Sequence, residues 1–165
     1  MDPIPDFDIR YTYLTDAPYL REWLMQPQVF HWFPVTDEKE IEDAIQCWIG
    51  FCRYSCSLTA TIGGVPCGIG TLFLMPYRKV AHHCLFKLVV DPAHQGKGIG
   101  TALIKNLKHL AKNYFHLELM YIEIFEGNPL LSILNKLNFK EFARQENYVK
   151  ENDKYLARIL LESFL

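Results

Sequence analysis

The sequence predicts a mixed α/β fold of one domain, residues 1–165, with helices layered on a sheet. Three observations carry that prediction. Strand-like and helix-like segments alternate along the chain, with no internal repeat and no low-complexity linker between them. The run LELMYIEIF, 117–125, is largely apolar and suits a central strand. Three glycines, Gly96, Gly98 and Gly100, fall between an apolar strand and an amphipathic helical pattern. At 165 residues, half of them apolar and 14% aromatic, the chain has enough material for a core without disulfide staples.

The elements follow in order. Residues 7–14, FDIRYTYL, alternate as a first strand. A helix then covers 15–25, with Thr15 or Asp16 as cap, Pro18 in the first turn and Pro27 as its stop. The second helix, 36–51, crowds acidic residues at its N-terminus, where the helix dipole favours them. Asp37 and Glu40 there have capping-box spacing. Its residues Ile41, Ala44, Ile45, Trp48 and Ile49 share one face. Two strands, 55–62 and 65–75, flank Gly63-Gly64 as a hairpin, and a further strand covers 81–90. Past the glycine turn, Ala102, Leu103, Leu107, Leu110 and Ala111 mark an amphipathic helix. The central strand, a short helix over 128–139 and two strands, 139–149 and 154–161, complete the chain.

Composition excludes several functions. A formal net charge of -2 and a pI near 6.3 supply no positive field for nucleic acid or anionic lipid. The acidic start, MDPIPDFDIR, is unlike a signal peptide, and no run of about 18 apolar residues is present. A cytoplasmic protein with no membrane or nucleic-acid partner is expected. The five cysteines, Cys47, Cys52, Cys56, Cys67 and Cys84, fit reduced and mostly buried thiols. Cys52 and Cys56 have no matching Cys/His pair, so no metal site is expected.

The glycine turn, DPAHQGKGIGTALI, has two physical readings: a tight strand-to-helix turn, or a cradle for a diphosphate. First-turn amides of a helix lack intrahelical partners and carry the positive end of its dipole. Glycines let an anion approach them, Lys97 adds a charge and Thr101 a hydroxyl. The spacing is neither a dinucleotide fingerprint nor a Walker A loop. A nucleotide-binding α/β protein using another diphosphate is a rival on this feature alone.

The stretch VVDPAHQGKGIGTALI resembles the acetyl-CoA signature of the GNAT acetyltransferase superfamily. That signature is a strand ending in V-x-P, followed by Q/R-x-x-G-x-G/A at a helix start. A second stretch, IEIFEGNPLLSILNKLNF, is similar to the family's fifth strand and following helix. The flavour is nearest to ribosomal-protein alanine and aminoglycoside 6′-N-acetyltransferases. The resemblance implies a mostly antiparallel sheet of about seven strands, helices on both faces, and a splayed cleft between strands 4 and 5. It implies acetyl-CoA as co-substrate, with its pyrophosphate on the amides of Gln95, Gly96, Lys97, Gly98, Ile99 and Gly100, and with Thr101 adjacent. The pantetheine arm would pair with the main chain at Leu88, Val89 and Val90, and Asn128 would contact the same arm. Asn128 can equally cap the helix that follows it.

For the chemistry, Glu123 matches the family's proposed base. A carboxylate in an apolar strand needs a partner or a shifted pKa, so an ion pair is its structural alternative. Glu126, His82 and His83 are reserves. The family's tyrosine acid falls on Leu134 or Asn135, neither a phenol, which leaves Tyr148 or water to protonate the thiolate. Asn138 replaces a glycine where Asn tolerates positive φ. Trp23, Phe30, His31, Trp32 and Phe33 form either a staple between helices or the lining of an acceptor groove. The acidic residues Asp37, Glu38, Glu40, Glu42 and Asp43 read as a solvated helix face or as bait for a polycation. The function that follows is acetyl transfer to a primary amine, a small molecule or a protein N-terminus, with a homodimer possible. The alternative is a non-catalytic CoA-binding sensor of the same fold.

Overall fold

The computed structural model describes residues 2–165. Among these residues one sheet holds seven strands: β1 (Phe7–Tyr11), β2 (Ser57–Ile62), β3 (Val65–Leu74), β4 (His83–Val90), β5 (Leu119–Phe125), β6 (Lys140–Glu151) and β7 (Lys154–Phe164). Their spatial order is β1-β2-β3-β4-β5-β7-β6, and every neighbouring pair is antiparallel except β4 with β5. The helices are α1 (Ala17–Leu24), α2 (Pro27–Phe30), α3 (Glu38–Gly50), α4 (Ile99–Asn113) and α5 (Leu130–Lys136). This is the mixed, mostly antiparallel architecture expected from the sequence.

Each face of the sheet has its own core. Leu103, Ile104, Leu107 and Leu110 of α4 and Leu134 of α5 bury against Leu72, Phe86, Met120, Ile122 and Leu161. On the other face, Leu20, Trp23 and Leu24 of α1 and Ile41, Ile45, Trp48 and Ile49 of α3 close over Ile69 and Val89. Alternation along β4 divides its side chains between the two cores: Cys84 and Phe86 face α4, while Val89 faces α1 and α3. The three thiols nearest the core are inert. Burial pushes those of Cys56 and Cys84 up to about 12 and that of Cys67 up to about 11.

Several local expectations meet the tertiary structure. Asp37 caps α3 by accepting from the Glu40 amide at 2.9 Å, while the Glu40 carboxylate turns back to the Thr36 amide and hydroxyl. Asn138 adopts φ 64 beyond the end of α5, as its residue type allows. The β6–β7 turn is tighter than the sequence suggested, because Asn152 and Asp153, at φ 49 and 58, form a two-residue primed turn. Pro27 does not simply end α1; it opens α2, where its missing amide costs nothing. The first strand stops at Tyr11, because Leu14–Asp16 curls into a 3-10 turn.

Asp16 is the largest departure. It makes no side-chain cap to α1 and is only 3% exposed. Arg10 grips its two oxygens at 2.8 and 2.9 Å, and the Tyr13 amide and the Thr59 hydroxyl each donate to it at 2.9 Å. Burial alone pushes this carboxyl upward. The hydrogen bonds from Arg10, Tyr13 and Thr59 outweigh burial and hold it below its ordinary value. A polar spine continues from there through the sheet. Thr12 Oγ1 lies 2.9 Å from Thr59 Oγ1 and 2.8 Å from Ser57 Oγ, and Ser57 Oγ lies 2.6 Å from Thr71 Oγ1. The Trp48 indole N–H donates to Thr71 Oγ1 at 2.6 Å, which ties α3 to the strands beneath it. Buried hydroxyls satisfied in this way specify one seating of the helices.

A lowered folded-state pKa stabilises above the ordinary carboxylate range and loses that contribution as pH falls through the lowered value. Asp16→Asn is expected to lower the unfolding free energy by about 2–4 kcal/mol at pH 7, measured by urea titration. The gap between wild type and variant should narrow as pH falls below about 4.

Candidate active site

The β4–β5 ladder has three rungs: His83 with Leu119, Cys84 with Met120, and Leu85 with Tyr121. Both strands then continue, to Val90 and Phe125, without pairing to each other. Their outer edges stay in register with β3 and β7 over this stretch, so only the facing edges are left with unpartnered main-chain groups. A cavity of about 520 Å³ occupies the opening, within the range of small-molecule sites. The gap is propped on the α4 side by buried Phe86, Leu134 and Phe139, with the two phenyl rings 5.4 Å apart. Lys108 reaches from α4 across the Phe139 ring to the Leu137 carbonyl and so pins the end of α5.

One end of the cavity is the glycine turn. Asp91 accepts from the Ala93 amide at 3.0 Å and contacts His94, while Gln95 donates to the Val90 carbonyl at 3.3 Å. Gly96 and Gly98 then take left-handed φ values of 77 and 85, and Gly98 is the N-cap of α4. This conformation explains the residue type at both positions. The first main-chain hydrogen bond of the helix runs from the Ala102 amide to the Gly98 carbonyl, leaving the preceding amides without intrahelical partners. The structure brings Leu88, Val89, Val90, Gln95, Gly96, Gly98, Ile99, Gly100 and Thr101 to the cavity wall. Lys97 is exposed and lies outside that lining.

Asn128 also lines the cavity, and its Oδ1 accepts from the Leu130 amide at 2.9 Å, so it caps α5 from within the wall. Trp32 packs over Gly127, where an added Cβ would stand 3.8 Å from the ring. The aromatic group named in the sequence thus divides. Trp23 is core and Phe30 packs at the core's edge, while Trp32 and Phe33 line the cavity. His31 stands 3.8 Å from Glu151 on β6.

Glu123 faces the cavity from β5 at 36% side-chain exposure. Arg158 on β7 donates to its Oε1 at 3.1 Å and to the Gln145 side chain at 2.8 Å. The Arg158 guanidinium also lies 4.3 Å from the centre of the Tyr148 ring, and Tyr148 lines the same cavity. The apolar strand therefore carries its carboxylate with a cation attached, the partner expected of such a group. Glu126 is outside the lining; the hydrogen bond from Arg144, 2.7 Å away, lowers its carboxyl from the ordinary value. His82 and His83 stand at the closed end of the ladder, remote from the opening. Leu134 is fully buried and Asn135 is exposed, so neither reaches the cavity. In the acidic helix Glu42 pairs with Arg21 and Glu40 turns to Thr36, as on a solvated face.

Two cations are among the lining residues missed at the sequence level, Lys87 and Lys136. Lys87 had a legible signal, as the one cation within the apolar run HCLFKLVV. Lys136 had none, since a lysine in the last turn of a helix is ordinary.

The model of the acetyltransferase (GNAT) family matches residues 17–131. No curated protein matches the sequence. Among solved structures, the Salmonella typhimurium protein yncA, determined with its cofactor acetyl-CoA, is similar at 18% identity and a TM-score of 0.81. The match covers 96% of this chain and 94% of that one. The ribosomal-protein-alanine N-acetyltransferase of Brucella melitensis aligns at 18% identity and a TM-score of 0.77, over 95% and 99% of the two chains. The ribosomal-protein-S5-alanine acetyltransferase of Vibrio fischeri aligns at 13% and 0.76, over 99% and 95%. At these identities the likeness is one of fold.

The left-handed turn carries its own test. Gly98→Ala places a Cβ at φ 85 and is expected to lower the unfolding free energy by about 1–2 kcal/mol. Gly50→Ala, at the end of α3 with open space around it, should be neutral or stabilising by up to about 1 kcal/mol. Urea unfolding of both variants measures the contrast.

Proposed function

This chain belongs to the acetyltransferase (GNAT) family, and on that premise we propose that it binds acetyl-CoA and acetylates a primary amine. The observation that carries this reading is the three-rung ladder opening into a cavity between a glycine turn and a carboxylate. The donor set suits the ligand. Free amides at the start of α4 would hold the pyrophosphate, with Gly96 and Gly98 permitting close approach. The unpaired edge of β4 near Leu88, Val89 and Val90 would hydrogen-bond the pantetheine amides as a neighbouring strand does, and Asn128 flanks the same arm. Lys97 then acts only as a nearby charge.

When bound, acetyl-CoA supplies a thioester whose acetyl carbon bonds to the amine nitrogen as the carbon–sulfur bond breaks. Glu123 takes the proton that the amine must lose. Arg158 holds Glu123 Oε1, and among the described residues none donates a hydrogen bond to Oε2, which leaves that oxygen for this task. Arg158 is a positioning residue, since it acts through Glu123. The departing thiolate needs a proton, and Tyr148 is the tyrosine among the cavity-lining residues. It would supply the hydroxyl that α5 lacks at Leu134.

Thiol release from acetyl-CoA with a panel of amines tests the reading. Glu123→Gln is expected to lower kcat at least about 100-fold while leaving the dissociation constant of CoA within about threefold. Tyr148→Phe should lower kcat roughly tenfold or more, with little change in the KM for acetyl-CoA. Acetyl-CoA binding with no turnover of any amine would favour the sensor alternative. Stronger thermal stabilisation by ATP or NAD than by acetyl-CoA would overturn the ligand assignment itself.

A further inference from the structure

We propose that the acceptor is a zwitterionic amino acid with an apolar side chain, its amine set against Glu123 and its carboxylate against Lys87. The proposal rests on the acetyl-transfer reading above and names its substrate class. Leu85 and Tyr121 form the last rung of the β4–β5 ladder. Lys87 and Glu123 each lie two residues further along parallel strands, so they project from the same face of the sheet. Both line the cavity from that face, one cation and one anion, with the lysine side chain leaning toward Phe73 on β3.

Their states differ in a way that defines the ligand. Glu123 already has Arg158 as a partner. Among the described residues Lys87 makes no ion pair and no side-chain hydrogen bond within the protein; its ammonium rests 4.9 Å from the centre of the Phe73 ring. Phe73 is itself held between Trp48 and Phe51, so the lysine stem is placed by packing. The face also matters. Lys87 shares the side of β4 with Val89, toward α1 and α3, and not the side that packs on α4 behind the glycine turn. It is thus set toward the acceptor half of the cavity and away from the diphosphate half.

Lys87 and Glu123 on the wall, together with the Arg158 bound to Glu123, carry an excess positive charge. A polycation would add to that excess, whereas an amine with a carboxylate a few bonds away adds no net charge and brings an anion to the cation that lacks one. The carboxylate gains a charge-assisted hydrogen bond from Lys87. Trp32, Phe33 and Tyr148 form the remaining wall and suit an apolar side chain. The acetyl group goes to the α-nitrogen, whose ammonium proton passes to Glu123, and the carboxylate is unchanged.

Steady-state kinetics with L-phenylalanine, L-phenylalaninamide, 2-phenylethylamine, spermidine and an alanine-initiated peptide test the assignment. In the wild type, kcat/KM for phenylalanine should exceed that for the amide and for phenylethylamine by roughly 10- to 100-fold. Lys87→Met should collapse the acid-to-amide ratio to within about threefold, and Lys87→Arg should keep most of it. A ratio near one in the wild type, or an unchanged ratio in Lys87→Met, would overturn the proposal. Turnover of the peptide or spermidine in preference to phenylalanine would overturn the acceptor class and leave acetyl transfer standing. Release of no thiol with any of the five would overturn both.

Discussion

The β4–β5 ladder ends after three rungs, and the rest of the molecule is arranged around that ending. A parallel pair normally continues as far as both strands allow, because each unpaired main-chain group away from water is costly. Here both strands run on while diverging. Two structures keep them apart: the ladders to β3 and β7 on their outer edges, and the packed wedge of Phe86, Leu134 and Phe139 beneath the gap. Leu134 shows the consequence. It is fully buried as part of the prop and does not reach the cavity.

The opposite face depends on a different kind of contact. Apolar packing alone lets helices slide on a sheet, because hydrophobic burial has no direction. The run from Asp16 through Thr59, Thr12, Ser57 and Thr71 to Trp48 adds direction, since each group has its partners in one arrangement. It fixes α3, which with α1 frames the segment carrying Trp32 and Phe33. The aromatic part of the cavity wall thus depends on a buried carboxylate outside its lining.

Much of this was legible in the sequence. The hairpin glycines, the Asp37 cap, the helical faces and the left-handed Asn138 are decided within a few residues, where local geometry leaves few alternatives. The glycine turn was legible for the same reason. Asp16 was read as a cap because a helix follows it, and nothing local records that Arg10 and Thr59 would claim its oxygens from neighbouring strands. The division of Trp23 from Trp32 is equally non-local: both sit in one aromatic stretch, and only α3 and the β5–α5 loop separate core from wall.

Lys87 and Glu123 mark the boundary between the two kinds of information. From the sequence come the residue types themselves, a cation and an anion each set in an apolar strand, together with the glycine turn before α4. Their spacing of 36 positions carries no hint that they line one cavity from the same face of the sheet. That depends on which strands are neighbours, on the parallel sense of β4 and β5, and on the rung at which the ladder stops. Residue chemistry and local backbone conformation are short-range properties and were determined by the sequence directly. Register between distant strands is set by the packing of both cores at once, so the placing of both charges on one cavity wall was decided only in the tertiary structure.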